Sequence, residues 1–151
     1  MADRDTWQQY MNEAHEKWPP GAKVADVARE LDADHRVAFV IGKLNSQVCN
    51  GGFFQWHDNG YSDLLDDTVW ALQKVDTETS RKVVGFLGQV HSCIEAQRRM
   101  EEERSPWEDV DEDELYDEVF GALGPLDDAY YKVNDQLEAD VEAYLRARRA
   151  A

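Results

Sequence analysis

The 151 residues carry 32 acidic and 16 basic side chains, a formal net charge of −16 at pH 7, with 42% hydrophobic residues that include five Trp, six Tyr and five Phe. A chain of this length buries a core without disulfide or metal staples, and its aromatic content argues against disorder. Self-repulsion on this scale disfavours nucleic acid and anionic membranes as direct partners, and favours basic proteins or cations.

In chain order, residues 3 to 17 read as a helix with Trp7, Tyr10, Met11 and Ala14 on one face, ended by Trp18-Pro19-Pro20-Gly21. A second helical region runs from near Val24 to Cys49, with a break around Leu31 to Asp34 and Asp34 as N-cap of its second half. Val37, Val40, Ile41, Leu44 and Val48 there have the spacing of one apolar face. Asn50-Gly51-Gly52 then stops the helix: one glycine closes a left-handed C-cap, and Phe53 or Phe54 folds back onto the last turn. Asn59-Gly60 gives a second turn. Ser62 or Asp63 starts a helix with Leu65, Val69, Leu72 and Val75 inward, and residues 76 to 79 cap the next, which carries Val83, Leu87, Val90 and Ile94 and extends to about Glu103. Ser105-Pro106-Trp107 interrupts, a short helix follows from 111 to 120, and Gly121 to Pro125 breaks the chain again. The last helix, 126 to 148, repeats Leu126, Tyr130, Val133, Leu137, Val141 and Tyr144, and ends in Arg146, Arg148 and Arg149, favourable charge at a helix C-terminus.

No period-two strand with hairpin turns occurs, and no repeat or low-complexity linker divides the chain. The expectation is an all-α fold, a single compact bundle of about six or seven helices spanning residues 1 to 151 as one domain. No apolar run reaches the roughly 20 residues of a membrane span, and the opening Met-Ala-Asp-Arg-Asp is unlike a secretory signal, so the cytoplasm is the expected compartment. Cys49 and Cys93 lie in apolar helical contexts without a CxxC partner, which predicts buried free thiols.

The run Val48-x-Asn50-Gly51-Gly52-Phe53-x-Gln55-Trp56-x-x-Asn59-Gly60 resembles the signature of a family of small all-helical bacterial proteins best known through an acidic DNA mimic. The later Leu126-Asp127-Asp128-Ala129-Tyr130-Tyr131 resembles that family's C-terminal element, so the likeness covers roughly residues 25 to 148. It implies a non-enzymatic protein, bacterial or phage-borne, that sequesters a basic DNA-binding protein such as a repressor, a nucleoid protein or a defence nuclease.

The residues themselves supply a candidate surface. Between 101 and 118 stand eleven acids (Glu101, Glu102, Glu103, Glu108, Asp109, Asp111, Glu112, Asp113, Glu114, Asp117, Glu118) and one base, Arg104, a net charge of −10. A wholly helical segment of that length spans roughly 27 Å, or about one net charge per 2.7 Å, against about one per 1.7 Å on duplex DNA. Trp107, Val110, Leu115, Tyr116 and Phe120 interleave the acids as apolar anchors. The bland alternative is a solvated face that serves solubility.

Other chemistries find less support. A calcium loop starting at Asp109 lacks glycine at its sixth position, where Glu114 stands. His15, His35, His57 and His91 have no zinc-ligand spacing with the cysteines, so no metal and no cofactor is expected. Gly51-Gly52 has no preceding strand and no following Lys-Ser/Thr, which excludes a phosphate loop. Asn50, Gly51, Gly52, Phe53, Gln55, Trp56, Asn59 and Gly60 are read as a structural motif, with its amides bonded to backbone at the helix break. Two other readings stay open: a small hydrolase or small-molecule binder with its pocket at Asn50, Gln55, His57 and Asp58, and an acidic immunity or scaffold module. A homodimer stays open as well. The leading expectation is an acidic protein that covers the nucleic-acid surface of a basic DNA-binding partner, without contacting nucleic acid or membrane itself.

Overall fold

The computed structural model of the chain describes residues 4–107 and 111–151. The helices are α1 (Asp5–Glu16), α2 (Val24–Glu30), α3 (Ala33–Asp58), α4 (Leu65–Val75), α5 (Glu78–Glu103), α6 (Glu112–Phe120) and α7 (Leu123–Ala150), with a 3-10 turn at Tyr61–Leu64 before α4. The fold is all-α, with seven α-helices and no strand among the described residues.

α3 is the centre, packed against α1, α4 and α7. Its predicted apolar face, Val37, Val40, Ile41, Leu44 and Val48, is no more than 1% exposed, and Ala38 and Phe39 beside that face are buried too. A helix apolar around most of its circumference must be covered on several sides. α4, α5 and α7 close the core with Leu72, Val83, Leu87, Tyr130, Leu137, Val141 and Leu145. The last fully buried residue of α5 is Val90; its final turns extend past the core and meet α6.

Several boundaries differ from the sequence reading. The cap of α3 is Asp32, whose carboxylate accepts from the His35 amide at 3.0 Å. Asp34 instead receives Arg148 Nε at 3.0 Å. α7 begins at Leu123, not after Pro125, because a proline in the first turn occupies a position whose amide has no helical acceptor. The break before it is therefore confined to Gly121 and Ala122. The cap of α5 does fall in the predicted cluster of residues 76 to 79, as a reciprocal box between Thr77 and Ser80.

α7 also supplies acceptors to other helices. Glu142, 4% exposed, accepts from the Thr6 and Trp7 amides at 2.6 and 3.1 Å and so caps α1 across the bundle. Glu138 accepts from Asn45 Nδ2 at 2.9 Å. The basic end of α7 bridges outward rather than only opposing its own helix dipole. Arg149 reaches Glu13 at 2.9 Å and lies 3.9 Å from the Tyr10 ring centre.

Candidate partner-binding surface

α3 does not end at Asn50-Gly51-Gly52; it breaks there and resumes. Gly51 has φ −154° and ψ 19°, Gly52 has φ 80° and ψ 179°, and the next turn starts at Phe53. The motif predicts a positive φ at one of the two glycines, and it falls on the second. A ψ near 180° places Gly52 in the extended mirror region rather than a left-handed C-cap, a region open essentially to glycine alone. Phe53 does not fold back. It is buried in the new turn, edge-on to Tyr130 at 5.6 Å, while Phe54 turns toward α6.

The break frees backbone groups, and α7 satisfies them from both sides. Tyr131 donates its hydroxyl to the Val48 carbonyl at 2.9 Å, and Asp127 Oδ1 accepts from the Phe53 amide at 2.8 Å. Tyr130 donates to Asn45 Oδ1 at 2.6 Å. A Cβ on Gly52 would overlap the Asp127 carboxylate, whereas at Gly51 it would meet only the Gln55 side chain. The amides form a chain on the outer side: Asn50 Nδ2 to Gln55 Oε1 at 3.2 Å, Gln55 Nε2 to Gln47 Oε1 at 3.0 Å, and Asn59 Nδ2 to the same Gln47 oxygen at 2.8 Å. They bond to one another rather than to backbone, contrary to the sequence reading. Gly60 makes the following turn at φ 86°, and Trp56 is fully buried.

Burial pushes the Asp127 carboxyl above its ordinary value, with the Phe53 amide pulling the other way and Asp128 adding to the rise. A raised folded value means the folded state holds the proton longer. The stability from this group is complete below the unfolded pKa and is lost as pH rises through the folded one. Asp127→Asn keeps an acceptor for Phe53 and removes that loss. Its stability relative to wild type is expected to rise between about pH 4 and 7. Asp127→Ala leaves the amide unmet and is expected to cost about 1 kcal/mol. Chemical denaturation of both variants at the two pH values checks this.

The acidic run lies at the far end of α5 and on α6. Glu101, Glu102, Glu103, Asp111, Asp113, Glu114, Asp117 and Glu118 are all exposed. Glu108, Asp109, Val110 and the Glu112 side chain fall outside the described residues. The run is not one rod: α5 ends at Glu103, Arg104 is already extended (φ −70°, ψ 128°), Ser105-Pro106 keeps the helix from resuming at once, and α6 starts afresh. Asp111 caps α6 by accepting from the Asp113 and Glu114 amides at 3.0 and 3.2 Å. Glu101 accepts from Gln97, and Glu102 pairs with Arg98. Glu103, Asp113, Glu114, Asp117 and Glu118 have no side-chain hydrogen bond or ion pair among the described residues.

The anchors divide. Phe120 is buried, Leu115 half-buried, and Tyr116 packs edge-on to Phe54 at 4.8 Å while staying 41% exposed. Trp107 is 93% exposed, in the turn that follows α5, so it anchors nothing. Between α3, α5 and α6 lies a groove of about 320 Å³, lined by rings of Phe54, Tyr116 and Phe120 and by Asp58, Glu101 and Asp113.

The residues of the hydrolase reading are placed as follows. His57 Nδ1 lies 2.7 Å from Ser62 Oγ, and the ring faces Phe120 at 5.9 Å; no carboxylate bonds the ring among the described residues. Asn50 and Gln55 are engaged in the amide chain, and Asp58 is exposed. Cys49 is exposed rather than buried, since position 49 turns off the apolar face that Leu44 and Val48 occupy; Cys93 is intermediate, and both are free thiols.

The DMP19-like protein family, named for DNA mimic protein 19, matches residues 29–148. The chain belongs to this family. Neither a curated protein nor a solved structure matches it. The matched span runs from the end of α2 to the last turns of α7, so it includes both the α3 break and the α7 residues that close it. For this DMP19-like chain, sequence reasoning missed Asp127, Tyr131, Gln47, Glu138 and Glu142 as partners within the bundle. Asp127, Tyr130 and Tyr131 at i, i+3 and i+4 share one helix face, and Glu138 and Glu142 interrupt an otherwise apolar one. That interruption was the signal available.

Proposed function

We propose that the protein is a DNA mimic of the cytoplasm, which presents the carboxylates of α5 and α6 to a basic DNA-binding protein and covers that protein's nucleic-acid surface. The observation that carries this reading is the row of exposed acids at the α5 end and on α6, five of them without a side-chain partner among the described residues, held on a frame fixed by Phe120, Leu115 and Tyr116. Carboxylates neutralised within the fold would offer little to a partner; free ones can replace phosphates in a Lys/Arg-lined groove. Membership in the DMP19-like family supports the same reading. The helix break and its α7 clamp serve as scaffold: they set the direction in which Phe54 leaves α3, and Phe54 seats α6.

The test is displacement. Proteins of a bacterial extract retained on immobilised duplex DNA are expected to be released when this protein is added at low salt. Release of none, at concentrations where free duplex DNA releases them, contradicts the proposal.

A further inference from the structure

We propose that the groove between α3, α5 and α6 is a receptor for an arginine side chain of the basic partner, so that recognition includes one shaped contact besides the general attraction of the acidic surface. The inference rests on the DNA-mimic reading and sharpens it.

Three aromatic rings form the apolar part of the groove. Phe54 and Tyr116 stand edge-on at 4.8 Å, Phe54 and Phe120 at 5.2 Å, and Tyr116 and Phe120 tilt together at 5.5 Å. Phe120 is buried, which fixes the set, and Tyr116 is 41% exposed, which leaves ring surface for a ligand. Three exposed carboxylates, Asp58, Glu101 and Asp113, line the same groove against one guanidinium, Arg104. The lining is therefore net negative around an aromatic wall.

That combination selects among cations. A guanidinium is planar, weakly hydrated and able to stack on an aromatic face while its edge donates two parallel bonds to a carboxylate. An ammonium is a compact, strongly hydrated charge and gains less from the ring. Anionic and neutral ligands are disfavoured by the carboxylates. Arg104 is the chain's own competitor: it lines the groove, is exposed, and forms no ion pair among the described residues.

Binding of oligoarginine and oligolysine peptides of equal length, measured by calorimetry at low salt, tests the inference. Wild type is expected to prefer oligoarginine by about ten-fold, the scale of a partly desolvated cation–π contact. Tyr116→Leu keeps apolar bulk in the groove and removes the ring face, and should bring oligoarginine binding down to the oligolysine level. Arg104→Gln removes the competitor and should strengthen oligoarginine binding. Circular dichroism melting of each variant verifies that the fold persists. Equal binding of the two peptides to wild type, or a preference untouched by Tyr116→Leu in a folded variant, overturns the arginine receptor and leaves the DNA-mimic reading standing. Binding of neither peptide overturns both.

Discussion

Replacing Gly52 by valine is expected to destabilise the protein by about 3–5 kcal/mol, whereas Gly51→Ala should cost less than about 1 kcal/mol. Two effects add at Gly52. Its φ of 80° with ψ of 179° strains any residue with a Cβ, and that Cβ would overlap the Asp127 carboxylate. Relief requires α7 to shift or the cap on Phe53 to open, and either exposes the Phe53–Tyr130 contact. At Gly51 the φ of −154° is not in the left-handed region, and the obstacle is the half-buried Gln55 side chain, which can move by giving up its amide hydrogen bonds. For a chain of this size the Gly52 change corresponds to a fall in melting temperature of roughly 10 °C. Equal melting temperatures for wild type and Gly52→Val would show that the clamp between α3 and α7 is not a source of stability.

The second large effect concerns the acidic edge. Converting Glu103, Asp113, Glu114, Asp117 and Glu118 to Gln or Asn removes charge from side chains that hold nothing else in place, so folding should survive. Asp111 is left alone because it caps α6. Affinity for a captured basic partner should fall by about 100-fold or more at 50 mM salt, and its dependence on salt should flatten, since fewer counterions are exchanged. Titration calorimetry at several salt concentrations reads both quantities. Undiminished affinity would return the run to a solvated face.

The legibility of this protein in its sequence divides by the kind of information involved. Helical periodicity was legible: the apolar face of α3 is buried as the spacing predicts, as are Val83, Leu87 and Val90 of α5 and Leu126, Tyr130, Leu137 and Val141 of α7, while Ile94, Val133 and Tyr144 of the same series are half-buried. The positive φ at a glycine of the Asn50-Gly51-Gly52 run was legible, because glycine pairs mark backbone that other residues avoid. The resumption of the helix was not, since what permits it is Asp127 and Tyr131, 74 and 83 positions away from the Phe53 amide and the Val48 carbonyl that they bond on α3. Local sequence cannot report a cap supplied across the bundle. The same limit hid Glu142, which a linear reading takes for one more surface acid although it is buried under the α1 amides. Trp107 failed in the opposite direction: a large aromatic suggested an anchor, but the side chain is 93% exposed.

The acidic edge itself shows how composition and geometry combine. Charge counting located it, while the arrangement separates carboxylates that cap or pair, such as Asp111 and Glu102, from those with no side-chain partner among the described residues, which lie on α6 and at the last residue of α5.

The central claim is mutual exclusion at one surface, and the most direct measurement uses a partner recovered by DNA displacement. A fluorescent duplex is bound to that partner at low salt, and anisotropy is followed as unlabelled protein is added. Anisotropy falling to the free-duplex value, with the five-site variant unable to produce the fall, is the predicted result; a rise to a larger ternary complex, or displacement by the variant as effective as by wild type, would contradict it.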